Sequence, residues 1–198
     1  MHGLVNRSIQ CFLRDTYGNA QWHAIAAEAG VPPEGFEGML DYEDAVTEAL
    51  LAAAQVRLSK PRDALLEDLG IHLVSHPGFE PLRRLLRFGG VGFEDFLHSL
   101  DDLQGRGRLA VPDLELPRLE LHEFGDGRYS VACHARHPGF VHVVAGVLRA
   151  MADDYGALVL IEVAEADTPS ARLDVELLDR RFARGRSFQL APAGGSGA

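Results

Sequence analysis

Apolar residues recur every three or four positions through the first half of the chain, which is the spacing of amphipathic helices. In Leu4–Tyr17 this spacing continues until Gly18, a residue type that readily ends a helix. The same criteria predict helices at Ala20–Ala29, Asp44–Leu58, from Pro61 to about Ser75, Phe79–Phe88 and Phe93–Gln104. The first half is therefore expected to be helical.

The spacing changes to the alternation of strands after Gly105. Two alternating stretches, one through Leu119 and Leu121 and one over Tyr129–Ala135, flank the Phe124–Gly127 turn and predict a hairpin. The rest of the pattern predicts a long helix over Phe140–Tyr155, a buried strand over Ala157–Val163 and a neighbouring strand through Leu173, Val175 and Leu177. The predicted fold class is α+β, with a helical N-terminal lobe followed by a small antiparallel sheet that carries one long helix.

Composition narrows the functions that this fold can have. The 198 residues include 19 Lys+Arg and 29 Asp+Glu, a net charge of −10, which disfavours nucleic-acid binding. No apolar run is long enough for a membrane span, and no signal-peptide pattern opens the chain. The two cysteines, Cys11 and Cys133, are too few for a disulfide scaffold, so we expect a cytoplasmic protein.

The histidines provide two weak metal-site candidates. His72 and His76 lie four residues apart on one helix face, but no well-spaced Glu or Cys nearby completes a zinc site, which favours a polar helix end. Cys133, His134 and His137 form a C-H-x-x-H cluster that can begin a metal site. The chain has no GxSxG, P-loop or HExxH motif, so we expect it not to be an enzyme.

Several segments, taken in order, resemble the heme-nitric-oxide/oxygen-binding sensor family. They are MHGLVNRSIQCFLRDTYGNAQWHAIAAEAG, LLEDLGIHLV, LLRFGGVGFEDFLHSLDDL, VPDLELPRLEL and HPGFVHVVAGVLRAMADDYGALVLIEV. The resemblance implies heme held in a cleft between the lobes, nitric oxide as the sensed gas, and a diguanylate cyclase or histidine kinase as the regulated partner. It also implies one domain over 1–182, with a helical lobe over about 1–60, a cleft and sheet lobe over about 61–182, and a flexible tail over 183–198.

The position of the family's axial histidine is changed in this chain. The family motif L-D-x-L-H aligns with Leu100–Gln104, so Gln104 stands where the family has its iron ligand. An amide is a poor axial ligand compared with imidazole. His98 is a possible substitute, although helical spacing places it on the face of Asp101 and Asp102, away from the apolar stripe.

The family's Y-x-S-x-R motif, which grips the heme propionates, is changed as well. Its three positions align with Cys133, Ala135 and His137. Arg136 lies one residue away from the family's arginine position, and a protonated His137 can pair with a propionate. His134 and His137 are further candidates for a substitute iron ligand.

The rest of the expected cleft is apolar. By resemblance, Val5, Ile9, Val143 and Val147 face the heme, and Pro117 packs against the porphyrin. No tyrosine stands where oxygen-binding members place a hydrogen-bond donor, which implies a preference for nitric oxide. Plain core packing explains the same four residues equally well.

Three hypotheses follow from these matches and departures. The first is a heme-dependent nitric-oxide sensor with a substituted iron ligand. The second is a degenerate heme-free member that binds another tetrapyrrole, or a metal at Cys133, His134 and His137. The third is a heme-free protein-interaction module that regulates its partner by contact alone.

Overall fold

A computed structural model of the chain describes residues 1–137, 139–165, 170–183 and 185–186. The tail predicted over 183–198 therefore lies almost entirely outside the described residues. The helices are α1 (Gly3–Tyr17), α2 (Asn19–Glu28), α3 (Asp44–Leu58), α4 (Arg62–Ser75), α5 (Glu80–Arg87), α6 (Phe93–His98), α7 (Leu103–Ala110) and α8 (Phe140–Tyr155). The strands are β1 (Arg118–Gly125), β2 (Arg128–His134), β3 (Leu158–Glu165) and β4 (Ser170–Asp179).

The four strands form one antiparallel sheet in the order β1-β2-β4-β3. The hairpin between β1 and β2 turns at Asp126 and Gly127, whose φ angles of 53° and 73° are the positive pair that a tight hairpin needs. The predicted hairpin, the pairing of the last two strands and the α+β fold class are confirmed.

Two hydrophobic cores meet along α4. The first contains fully buried residues of the helical lobe, among them Trp22, Ile25 and Leu50. The second lies between the sheet, α6 and α8. Leu65 and Leu69 of α4 belong to the first core, whereas Val74 of the same helix belongs to the second. The division between the cores thus runs along α4.

The prediction of a single helix over Phe93–Gln104 is wrong. Helix α6 ends at His98, a 3₁₀ turn covers 100–102, and α7 then continues past Gly105 to Ala110. The carbonyl of Ser99 accepts a hydrogen bond from the guanidinium of Arg106 at 2.8 Å, and its hydroxyl bonds back to the Phe96 carbonyl at 2.8 Å. These side-chain bonds replace part of the helical ladder, so the helix breaks at this point.

No helix within the described ranges is both long enough and apolar enough to cross a membrane.

Candidate functional site in the cleft between the lobes

An apolar cavity of about 210 Å³ lies between the helical lobe and the sheet lobe. Helices α1 and α8 each present residues four apart, Val5 with Ile9 and Val143 with Val147, and this spacing puts each pair on one helix face. Further apolar wall residues are Leu4, Leu51, Leu66, Leu69, Leu73, Leu82, Leu100, Leu103, Leu114, Leu116, Pro117 and Val144. The structure therefore brings the four expected valine and isoleucine residues and Pro117 to one cavity.

The cavity adjoins a polar mouth of about 430 Å³. Val5, Pro117 and His137 line both spaces, so the mouth lies directly beside the apolar cavity. Polar side chains around the mouth are His2, Asp41, Gln104, Arg108, Asp113, Glu115, His134, Arg136 and His137. Ala135 also lies at this mouth. A ligand that is apolar at one end and charged at the other matches this arrangement.

Asp44, the first residue of α3, connects charged groups next to this mouth. Its carboxylate accepts a hydrogen bond from the Met1 ammonium at 2.9 Å and lies 3.3 Å from the Arg136 guanidinium and 3.7 Å from Nε2 of His137. The hydrogen bond from the ammonium, followed by the nearby His137 and Arg136 charges, holds the pKa of Asp44 below its usual value. Arg136 also lies 3.4 Å from Glu115 and is largely exposed. Arg136 is thus paired with surface carboxylates that a ligand carboxylate can replace.

Gln104 faces the mouth rather than the apolar wall. Its side-chain nitrogen donates a hydrogen bond to the Leu116 carbonyl at 2.9 Å, which ties α7 to the segment before β1. The neighbouring Leu103 lines the apolar cavity instead. The Gln104 side chain, which the resemblance leads us to expect at the family's axial position, therefore holds the protein's own backbone.

Cys133 and His134 point in opposite directions because side chains alternate along β2. Cys133 is 1% exposed within the sheet-lobe core, and burial raises the pKa of its thiol to about 11. Nε2 of His134 lies 3.3 Å from Glu120. The described side chains of Cys133, His134 and His137 consequently do not converge on one point, and Cys133 is absent from the described walls of the cavity and mouth.

His98 lies outside the cleft. Its side chain is 55% exposed, its Nε2 is 3.6 Å from Glu123, and its ring meets the edge of Tyr129. This position agrees with the helical-wheel analysis and disfavours His98 as an iron ligand.

The resemblance to heme proteins can be tested on these contacts. The apolar walls fit a flat hydrophobic ring, and the basic groups at the mouth fit carboxylates on one edge of that ring. All nine histidines fall within the described residues, and among them His137 alone borders the apolar cavity. The cleft thus fits a tetrapyrrole, with one imidazole available to its metal.

Asp44 was not identified from the sequence. It lies 92 positions from Arg136, and an acidic residue at the start of a helix is an ordinary feature. Only the folding of α3 against the loop after β2 brings these two residues together.

Comparison with known proteins identifies a family and relatives to which the chain is similar. The Haem-NO-binding family matches residues 2–163. The chain is 23% identical over 168 residues to soluble guanylate cyclase gcy-31 of Caenorhabditis elegans, and 20% identical over 161 residues to soluble guanylate cyclase 89Db of Drosophila melanogaster. These matches cover 84% and 80% of this chain but only 24% of each cyclase.

Solved structures show the same fold. A variant of the H-NOX protein of T. tengcongensis superposes with a TM-score of 0.75 at 16% identity, covering 91% of this chain and 99% of that one. An H-NOX protein from S. oneidensis in the Fe(II)NO ligation state gives a TM-score of 0.76 at 12% identity, covering 90% and 100% of the two chains. Because the family match covers most of this chain, the chain belongs to the Haem-NO-binding family.

Proposed function

We propose that this chain binds heme in the cleft between its lobes, senses nitric oxide there and passes the signal to a partner enzyme. The domain of this family is a gas-sensing, signalling domain rather than a catalytic one. The observation that carries the proposal is an apolar cavity bordered by His137 directly beside a mouth bearing Arg136. A ring with carboxylates on one edge needs both surfaces in contact with each other.

His137 is the iron ligand in this proposal. It is the one imidazole on the wall of the apolar cavity, and Asp44 lies close enough to orient its ring. Arg136, next to His137 in the sequence and also at the mouth, pairs with a heme carboxylate in exchange for Glu115. Bound heme supplies an iron coordination position at which a diatomic gas can bind.

Gas selectivity follows from the apolar wall. Val5, Ile9, Val143 and Val147 exclude water and offer no side-chain hydrogen-bond donor to a bound gas. Bound oxygen benefits from such a donor more than nitric oxide does, so this wall supports nitric oxide as the ligand.

The regulated partner in this proposal is a diguanylate cyclase or a histidine kinase, in the cytoplasm. The cyclase relatives support coupling to a nucleotide-cyclising enzyme, and the two free cysteines fit a reducing compartment.

An absorption titration tests the proposal. The full chain, purified and titrated with hemin, is expected to give a Soret band that saturates at one heme per chain and shifts on addition of nitric oxide. His137→Ala is expected to abolish the defined ligation spectrum, whereas His98→Ala, a matched histidine on the outer surface, leaves it unchanged. Gln104→His is expected to raise heme occupancy by restoring the family's ligand type.

Two results overturn parts of the proposal. A band that never saturates contradicts heme binding. A spectrum unchanged in His137→Ala contradicts the ligand assignment while leaving heme binding intact.

A second candidate function is that of a heme-free family member. It is favoured by one observation, the engagement of Gln104 with the Leu116 carbonyl at the family's ligand position. In that case the cleft takes an iron-free tetrapyrrole or serves in contact with a partner protein. Equal affinity for hemin and iron-free protoporphyrin, with no response to nitric oxide, distinguishes this function from the first.

A further inference from the structure

Three potential metal ligands meet on the side of α4 away from the sheet lobe. They are Asp15 near the end of α1, and His72 and His76 near the end of α4. Oδ2 of Asp15 lies 3.8 Å from Nε2 of His72 and 3.7 Å from Nε2 of His76. All three ligand atoms lie within 4.8 Å of one another. None of these residues borders the cleft.

The surrounding packing holds the His72 imidazole in place. The His72 and His76 rings stack with centroids 4.5 Å apart. An imidazole binds a metal ion in the plane of its ring, so the partly exposed His76 ring must turn out of this stack for both rings to reach one ion. Phe12 and Phe79 meet the His72 ring edge-on at 5.6 and 5.5 Å. An imidazole confined by aromatic neighbours loses little conformational freedom when it binds an ion.

His72 has an unsatisfied nitrogen aimed at this cluster. Its side chain is 10% exposed, and its buried Nε2 has no hydrogen-bond partner. A buried polar atom without a partner is unfavourable, and a bound ion would supply the missing partner. Burial, followed by the charge of His76, lowers the pKa of His72 and so favours the neutral ring, the form that binds metals.

We propose that Asp15, His72 and His76 bind a divalent transition-metal ion of the zinc type, at a site separate from the cleft. Tetrahedral zinc with nitrogen and oxygen ligands at about 2.0–2.1 Å places its ligand atoms about 3.3–3.4 Å apart. The distances of 3.8 and 3.7 Å from Asp15 to the two imidazoles require closure by about half an ångström. The ligand atoms of the two imidazoles, which lie within 4.8 Å of each other, come closer as the His76 ring turns. Asp15 and His76 are partly exposed, which leaves room for water as the fourth ligand.

Two existing contacts change when the ion binds. Nδ1 of His76 accepts a hydrogen bond from the Gly78 amide at 3.2 Å. A neutral ring that coordinates through Nε2 carries its proton on Nδ1, so this bond gives way. The Arg14 guanidinium approaches Oδ1 of Asp15 at 3.5 Å and leaves Oδ2 for the ion.

Metal titration of the full chain tests the site. In a calorimetric titration, Zn²⁺ is expected to bind at one ion per chain, and the bound ion is expected to raise the protein's melting temperature. Co²⁺ at the same site is expected to give the visible bands of tetrahedral coordination. His72→Ala is expected to weaken binding by more than about tenfold, since even changes in outer-shell partners of metal ligands cost that much.

Matched variants separate loss of a ligand from loss of the fold. Asp15→Asn keeps the shape of a partly exposed side chain and is expected to weaken Zn²⁺ binding with little change in the apo-protein's melting temperature. His122→Ala removes an exposed histidine of β1 and is expected to leave binding unchanged. Absence of saturable Zn²⁺ binding, or equal affinity in wild type and His72→Ala, overturns the proposal. Neither result depends on heme.

Discussion

Gly70 of α4 and Gly146 of α8 lie against each other where the two helices cross. A Cβ atom on Gly146 would overlap the Glu67 carbonyl oxygen, and one on Gly70 would overlap that of Val143. The two backbones therefore approach closely. This crossing sets the separation between the α4 and α8 walls of the cleft.

Gly146→Ala is expected to lower the free energy of unfolding by about 1–3 kcal/mol, because the added methyl group overpacks the crossing. Gly105→Ala is the matched control, since a Cβ there meets no atom within 4 Å in helix α7. That control is expected to be neutral or stabilising by about 0.5–1 kcal/mol. Urea unfolding of both variants measures the difference, and equal effects contradict the tight crossing.

A buried hydrogen bond joins α1 to α3. The Thr47 hydroxyl donates to Oδ1 of Asn6 at 2.6 Å, and both residues are buried. Thr47→Val is expected to destabilise the protein by about 1–3 kcal/mol because Asn6 loses its partner. Thr47→Ser keeps the hydroxyl and separates this loss from that of the methyl group. An unfolding free energy of Thr47→Val equal to that of the wild type would show that the bond contributes nothing.

Asp154 at the end of α8 is 2% exposed and accepts hydrogen bonds from Arg83 at 2.6 and 3.1 Å. Asp154→Ala removes a buried carboxylate with which both Arg83 and Arg87 pair, so we expect a loss of about 1.5–3 kcal/mol in unfolding free energy. Asp153→Ala, one position away on the exposed face, is expected to change it by less than about 0.5 kcal/mol. Thermal and chemical unfolding of this pair should therefore diverge clearly; similar losses argue against the ion pair as the cause.

The Cys133 thiol is expected to resist modification. Its pKa is raised to about 11 by burial, so at pH 8 it carries almost no thiolate in the folded protein. A thiol reagent should label at most one cysteine per native chain, Cys11, and two after denaturation. Labelling of two cysteines in native protein would contradict the burial.

The same shift predicts how stability depends on pH. The folded state holds the Cys133 proton up to about pH 11, whereas an unfolded cysteine loses it near about pH 8.5. The unfolded state therefore binds fewer protons between these values, and the free energy of unfolding falls as the pH rises through them. Cys133→Ala should flatten this part of the stability profile; an unchanged slope would assign it to other groups.

The elements were largely predictable from the sequence because their patterns are local. Helix propensity indicated α3 and helical spacing indicated α8, both with the bounds observed, and the Asp126–Gly127 turn identified the hairpin. The break at Ser99 was not predictable, because it depends on a side chain seven residues later that replaces a backbone donor.

The cleft was predictable only in part. Resemblance to a known family pointed to Val5 and Val147, and the structure brings them to one cavity. Asp15 next to His72, like Asp44 next to Arg136, joins residues that are far apart in the sequence. No local pattern encodes such pairs, since the packing of whole helices decides which side chains meet.

Helix α4 borders both proposed binding sites. Leu66, Leu69 and Leu73 form part of the cleft wall, while His72 and His76 face Asp15. A ligand that shifts this helix to widen the cleft also shifts both imidazoles. Binding in the cleft and binding of zinc are then linked by one coupling free energy. By thermodynamic linkage, whatever factor the cleft ligand imposes on zinc affinity, zinc imposes on the affinity of the cleft ligand.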